Sequence, residues 1–253
     1  MNVNYLKVFL AVMFAVLLTG VSVRASEMDD RIQSSAKDSY VFRTYLKDDS
    51  INVNSNEGMV TLTGTVNDAS QKSLAQETVT NMPGVKNVDN QLVINGQQPA
   101  ENSDGWIGMK VKWVLFFSRN VSAVNTEVDV TDGVVTLKGR ADSQAQKDLT
   151  GEYAKDVDGV KGVNNQMTIA EIANKPETMG EKIDDASITA QVKIAFLMHH
   201  STSAFKTGVT TTDGVVTLSG NAVNSAAKDM ATKVASDVKG VTNVVNNMTI
   251  NNS

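Results

Sequence analysis

Cysteine is absent from this 253-residue chain, and histidine occurs only as the adjacent pair His199 and His200. The lack of cysteine excludes disulfide bonds and cysteine-ligated metal sites. Adjacent residues of a helix point about 100° apart, so the histidine pair does not suit a single metal ion. Proline is also scarce: there are three, and two of them lie in short polar stretches that are typical of linkers. We therefore predict no metal and no cofactor.

Basic residues are outnumbered by acidic ones, and the formal charge is −5. An acidic protein is repelled at long range by anionic surfaces, which argues against a nucleic-acid partner. The chain also lacks G-x-S-x-G, a phosphate-binding loop and G-x-G-x-x-G. We therefore predict that the protein is not an enzyme, with no catalytic residues and no identifiable small-molecule substrate.

The first 25 residues have the three-part pattern of a secretory signal peptide. A positive charge precedes an apolar run over 8–18, and small residues stand at the −3 and −1 positions of a cut between Ala25 and Ser26. The alternative, an uncleaved membrane anchor, needs an apolar run of about 18 residues or more. We predict that 1–25 is removed, which changes the formal charge to −7. The mature chain is then periplasmic, and without cysteine it is not a lipoprotein.

One nine-residue phrase occurs three times, beginning at residues 56, 131 and 212 as NEGMVTLTG, TDGVVTLKG and TDGVVTLSG. The flanking sequence keeps the same spacing, so the copies 29–94, 104–169 and 185–250 align without a gap over 66 residues each. A repeat of this kind indicates tandem copies of one structural unit. The predicted layout is module 1 at 28–95, a linker at 96–103, module 2 at 104–170, a linker at 171–183 and module 3 at 184–251.

Each copy predicts the element order αββαβ. In module 2 the first helix has its apolar stripe at Ile107, Val111 and Leu115, with a spacing of four residues. The repeated phrase then predicts a β-hairpin, because Asp-Gly favours a two-residue turn between alternating strands. A second helix and a short strand follow. We predict an α/β (α+β) fold of three tandem modules, each a small mixed three-stranded sheet covered by two helices.

Two sets of repeated glycines are assigned structural rather than chemical roles. A glycine in the hairpin turn supplies positive φ, and a glycine after the second helix suits a left-handed cap. The turn set is Gly58, Gly133 and Gly214, and the cap set is Gly84, Gly159 and Gly240.

The full pattern resembles the BON domain. It is D-x-x-I, then D-G-V-V-T-L-x-G, then G-V-x-x-V-x-N, and in module 2 these motifs begin at Asp104, Asp132 and Gly159. Module 1 departs from it, with Glu57 and Met59 in the turn and first strand position. The resemblance implies non-enzymatic modules of the bacterial envelope. Such modules are associated with phospholipid membranes, envelope integrity and osmotic stress, and in some members with chaperoning of exported proteins.

One flank of the first helix of module 2 is not required by the repeat. Trp106, Trp113 and Phe117 fall on a second line beside the apolar stripe, with Lys110 next to it. Modules 1 and 3 have mostly different residue types at these positions, and the chain has no other tryptophan. These four residues are therefore the candidate lipid- or partner-binding site, since a large apolar flank usually has a partner.

Three interpretations of the flank remain open: packing against a neighbouring module, insertion at a phospholipid surface, and binding of client proteins or another subunit. The leading functional prediction is a periplasmic envelope and osmotic-stress protein whose modules associate with phospholipid membrane surfaces. The alternative is a soluble chaperone or adaptor that binds exported or envelope proteins. The oligomeric state is not predicted.

Overall fold

The structure is a computed structural model that describes residues 26–170, 182–199, 202 and 207–250. The predicted signal peptide at 1–25, residues 171–181 of the second predicted linker, and His200 lie outside the described residues.

The described elements repeat along the chain in the same order. The helices are α1 at 26–38, α2 at Tyr40–Thr44, α3 at Ala69–Thr80, α4 at Asp104–Phe117, α5 at Gln144–Lys155, α6 at Asp185–Met198 and α7 at Ser225–Ser236, with a short 3-10 turn at Ala123–Asn125. The strands are β1 at Ser50–Asn56, β2 at Met59–Val66, β3 at Asn87–Asn90, β4 at Val93–Ile94, β5 at Thr126–Thr131, β6 at Val134–Ala141, β7 at Gly162–Asn165, β8 at Thr168–Ile169, β9 at Thr207–Thr212, β10 at Val215–Ala222, β11 at Asn243–Asn246 and β12 at Thr249–Ile250.

The predicted fold class is confirmed. In module 2, β6 is central, with β5 antiparallel on one side and β7 and β8 parallel on the other. β7 and β8 form one interrupted third strand, so each sheet is mixed and effectively three-stranded. The first-helix stripe is buried as predicted, with Ile107, Val111 and Leu115 at most 3% exposed.

The hairpin turn of module 2 is held by Asp104, the first residue of α4. Asp132 and Gly133 both have positive φ, 53° and 80°, so their amides point away from the ladder. The Asp104 carboxylate accepts hydrogen bonds from both amides at 2.8 Å. In the same way, Asp29 in module 1 and Asp185 in module 3 each accept hydrogen bonds from the two turn amides of their own module. The first Asp of the repeat therefore ties a helix to a hairpin in each module.

Asp29 has one further donor. The Ser55 hydroxyl lies 2.6 Å from its carboxylate. That bond, together with the bonds from the Gly58 and Glu57 amides, holds the pKa of Asp29 below its usual range.

All six glycines of the two predicted sets have positive φ, between 77° and 91°. Gly159 lies three residues beyond the C-cap of α5, Asp156, so its positive φ serves the turn into the third strand and not the cap itself. A Cβ there would lie 3.0 Å from Cγ1 of Ile107. The second set of glycines therefore lets this turn approach the first helix closely.

In modules 1 and 2, the glycine that ends the nine-residue phrase is required by a still closer approach. Gly139 has φ of 115°, and a Cβ on it would lie 2.0 Å from the carbonyl oxygen of Asn125. Gly64 is in the same situation, 1.8 Å from the Ser50 oxygen. No other residue fits there without moving the first strand.

The asparagine of the last motif fixes the interrupted third strand. Asn165 Nδ2 donates to the carbonyl of Lys147 on α5 at 2.7 Å, and its Oδ1 accepts from the Met167 amide at 3.2 Å. Met167 turns inward at the interruption and is 2% exposed. Asn90 and Asn246 make the equivalent bonds.

Modules 2 and 3 meet through a reciprocal contact. The Lys239 amide donates to the Phe117 carbonyl at 2.9 Å, and the Asp158 amide donates to the Met198 carbonyl at 3.2 Å. The two bonds are equivalent under the 81-residue alignment of modules 2 and 3, because Phe117 corresponds to Met198 and Asp158 to Lys239. The junction therefore has local two-fold symmetry, like an isologous interface within one chain.

Module 1 joins this pair asymmetrically. Its first helix stops at Ser39, which caps α2 by accepting a bond from Phe42. This break brings the Tyr40 amide to Asp184 at 2.8 Å and the Val41 amide to Ser187 at 3.1 Å, at the start of α6. α3 of module 1 then packs along α6 of module 3.

Replacing Asp104 with Ala leaves two turn amides of module 2 without their acceptor. We expect the free energy of unfolding to fall by about 1–3 kcal/mol, measured by urea denaturation. Asp129→Ala, which removes only an exposed ion pair with Lys138, is the control and should cost less than about 1 kcal/mol. Equal effects of the two substitutions would contradict the role given to Asp104.

Candidate functional site

The tryptophan flank of α4 lies largely inside the molecule. Trp113 is 8% exposed and Phe117 is 1% exposed. The Tyr45 ring of module 1 contacts both edge-on, with centroid separations of 6.0 Å and 5.3 Å, a geometry favoured for aromatic pairs. The flank is thus part of the packing between modules 1 and 2.

The indole N–H of Trp113 is also satisfied by module 1. It donates to Asp68 Oδ2 at 3.3 Å, while Asp68 Oδ1 accepts from the Gln71 amide at 2.8 Å and caps α3. One carboxylate therefore fixes both the start of α3 and the orientation of Trp113. A buried indole whose N–H is bonded in this way is positioned by the fold.

Lys110 makes its ion pair and its aromatic contact within module 2. Its Nζ lies 3.2 Å from Asp158 Oδ2 and 4.0 Å from the centroid of the Trp106 ring, and the residue is 6% exposed. Burial lowers the pKa of Lys110, and the ion pair with Asp158 opposes that shift. The neighbouring Lys112 is exposed, so it is the cation of this helix that faces solvent.

Tyr45 is the residue that joins all three modules. Its hydroxyl lies 3.2 Å from both the Phe116 carbonyl of module 2 and Gln191 Oε1 of module 3. Sequence reasoning missed it. The available signal was its departure from the repeat, because the aligned positions hold Asn120 and Ser201.

A cavity of about 460 Å³ remains open beside the flank. It lies between α4 and β5, next to the start of α3. We call it the α4/β5 groove, and it is lined by Asp68, Asp104, Gly105, Gly108, Met109, Lys112, Trp113, Phe116, Val128, Asp129 and Val130. Its exposed apolar side chain is Phe116, at 37%.

A second cavity, of about 380 Å³, lies at the junction of modules 2 and 3. Val114, Phe117 and Val234 form part of its apolar wall. His199 Nδ1 and Asp156 Oδ2 at its edge are 2.7 Å apart and link the two modules. Within the described parts of the chain, no group of three or more His, Asp or Glu side chains is placed to hold a metal ion. No helix among those residues is long and apolar enough to cross a membrane.

Replacing Tyr45 with Ala removes the aromatic contact between modules 1 and 2. We expect destabilisation of about 3–5 kcal/mol for loss of a large aromatic contact, and a red shift of tryptophan emission because Trp113 gains water. Urea denaturation and fluorescence spectra check both effects. Tyr40→Ala is the control, since Tyr40 contacts Tyr45 and not the Trp113 ring; an equal red shift in that variant would contradict the assignment.

A pH-dependent effect is expected at Asp49, next to Asp68. Burial, and then the charges of Asp68 and Asp48, raise the pKa of Asp49 to about 6. A carboxyl whose pKa is raised on folding destabilises the folded protein above that pKa and not below its unfolded value. Asp49→Asn should therefore be more stable than the parent by about 1 kcal/mol at pH 7.5, allowing for partial solvent screening.

The same two proteins should melt nearly alike at pH 3, below the usual Asp pKa of 3.8, where the side chain of Asp49 is mostly neutral in both the folded and the unfolded state. Thermal unfolding at the two pH values measures the difference. A stability gain that persists undiminished at pH 3 would show that the ionisation of Asp49 is not its cause.

Known proteins are similar to part of this chain. It is 32% identical over 145 residues to "Osmotically-inducible protein Y" of Escherichia coli (strain K12), covering 57% of this chain and 71% of that protein. It is 30% identical over 117 residues to an "Uncharacterized protein in gshII 5'region" of Anaplasma centrale, covering 45% of this chain and 78% of that one.

Among solved structures, the C-terminal domain of CdsD, a structural protein of the type III secretion system of Chlamydia trachomatis, aligns over 83% of this chain and 94% of its own. The identity is 15% and the TM-score is 0.22, too low to indicate a shared overall arrangement. The BON domain model matches three segments, at residues 28–96, 103–171 and 184–252. These segments include the Asp, Gly and Asn residues whose contacts build each module, and the chain belongs to the BON domain family.

Proposed function

We propose that the protein is a non-enzymatic periplasmic protein of the bacterial envelope, active under osmotic stress, that works as an adaptor or chaperone for exported or envelope proteins. Family membership and the osmotically inducible relative support the envelope and stress role. The predicted signal peptide supports export. The family and its relative also favour binding over catalysis.

One observation carries the choice of a protein partner. Two of the three aromatic side chains predicted for lipid or partner binding, Trp113 and Phe117, are buried against module 1, and the third, Trp106, is half-buried. The open surface beside them is the α4/β5 groove. A groove of this size, lined by both apolar and charged side chains, suits a side-chain-bearing ligand better than a flat membrane.

Association with phospholipid membrane surfaces is the second candidate. Phe116 is 37% exposed, Trp106 is half-buried and Lys112 is exposed on the same helix. These side chains provide a small apolar edge with the exposed ammonium group of Lys112 beside it. Because the protein is acidic overall, such binding would depend on apolar insertion more than on charge.

The two candidates are separated by one pair of measurements on the mature protein. We expect it to suppress the aggregation of a urea-unfolded outer-membrane protein on dilution, followed by light scattering. We expect it not to sediment with vesicles of phosphatidylethanolamine and phosphatidylglycerol. Because Phe116 is the exposed apolar side chain of the groove, Phe116→Ser should weaken the suppression of aggregation and leave the lack of sedimentation unchanged.

The opposite pattern would reverse the proposal. Sedimentation with vesicles that is lost in Phe116→Ser, without any suppression of aggregation, would establish the phospholipid function and reject the adaptor.

A further inference from the structure

The α4/β5 groove of module 2 has a counterpart in module 3, formed by α6 and β9. The repeat offset of 81 residues aligns the two grooves position by position. The aligned pairs are Gly105 with Ala186, Gly108 with Thr189, Met109 with Ala190, Lys112 with Lys193, and Val128 with Val209. The two surfaces thus share one lysine and one valine in the same places, and Met109 is the large side chain of module 2 where module 3 has Ala190.

The counterpart in module 3 is already occupied by a helix. α3 of module 1 packs along α6, and Lys193 Nζ lies 2.8 Å from Glu77 Oε2 of α3. The floor of that groove, Ala186, Ala190 and Val209, is buried. Small residues on one helix let a second helix approach closely, and the ion pair fixes how it lies along the groove.

The groove in module 2 is uncovered at the same positions. Gly105 and Lys112 are exposed where Ala186 and Lys193 are buried or half-buried, and Met109 and Val128 are half-buried where Ala190 and Val209 are buried. Gly105 and Gly108 serve local packing, because a Cβ on them would lie 3.3 Å from Pro99 and from Val130, respectively.

The charges of the groove favour a protein over a lipid. Asp68, Asp104 and Asp129 line the groove together with one lysine, Lys112. This excess of acidic residues disfavours the phosphate of an anionic headgroup, although Asp129 is itself paired with Lys138. Lys112 lies where Lys193 meets Glu77 and has no partner among the ion pairs of the described residues. An acidic side chain on a docked helix would complete the same contact.

We propose that the α4/β5 groove binds a helix of a partner protein that carries a stripe of small and apolar side chains and an acidic residue at the position of Glu77 in α3. The helix lies on α4 as α3 lies on α6, and its carboxylate pairs with Lys112. This inference rests on the proposed adaptor function and specifies the partner that the groove accepts.

The test uses a peptide of residues 67–82, labelled with a fluorophore and stapled between positions 76 and 80, which are both exposed in the intact protein. The staple is needed because an isolated helix of this length is marginal in water. Binding to the mature protein is followed by fluorescence anisotropy. We expect Lys112→Glu to weaken binding about tenfold, because attraction is replaced by repulsion.

A charge reversal in the peptide provides the rescue. The Glu77→Lys peptide should bind Lys112→Glu protein about as well as the original peptide binds the parent. Arg140→Glu, at an exposed residue of β6 in the same module that does not line the groove, is the matched control and should leave peptide binding unchanged. The α6 groove is intact in both variants, so exchange of the peptide with the protein's own α3 does not depend on Lys112.

Equal binding of the original peptide to the parent and to Lys112→Glu would overturn the inference, as would the absence of binding to the parent. The aggregation assay tests the proposed adaptor function separately. Suppression that survives in Lys112→Glu, with no peptide bound by the parent, rejects the groove and keeps the adaptor. A parent protein that suppresses no aggregation rejects the adaptor itself.

Discussion

The hydrogen bonds from a turn to the first aspartate of each aligned copy are the constraint on which the rest of the structure depends. A two-residue turn with positive φ leaves two amides without strand partners, and the carboxylates of Asp29, Asp104 and Asp185 accept them. This places the helix at one end of the hairpin and fixes which face of the sheet it covers. The remaining repeated residues complete the unit: a glycine where two strands nearly touch, and an asparagine that joins the third strand to the second helix.

Differences among the copies, rather than their shared motif, determine how the modules assemble. Modules 2 and 3 keep a continuous first helix and pair with each other by exchanging equivalent bonds. Module 1 breaks its first helix at Ser39, and the displaced turn reaches α6 through Tyr40 and Val41. With two similar grooves and one α3, one groove is filled and the other stays open. The candidate binding surface therefore arises because modules 2 and 3 are equivalent to each other and module 1 covers the groove of only one of them.

The sequence predicted the modules and their element order because those features follow from local chemistry: helical spacing, an Asp-Gly turn and glycines that need positive φ. It also singled out the flank of Trp106, Trp113 and Phe117, since nothing in the repeat requires aromatic residues there. It left the destination of that flank open among three interpretations, because the answer depends on Tyr45 and Asp68 of another module. Contacts between modules leave no periodic pattern in one sequence, so neither residue was predicted. The functional role of the flank stays a prediction.

The position of α3 is therefore the feature to test, because its contact with α6 defines both the filled groove and its open counterpart. The chain has no cysteine, so pairs of cysteines introduced by mutation can be cross-linked without background. A short bismaleimide should link cysteines at 77 and 193, where the native side chains are 2.8 Å apart, and should not link cysteines at 77 and 112. Equal cross-linking of the two pairs, or none of the 77–193 pair, would contradict the placement of module 1 and with it the proposed open groove.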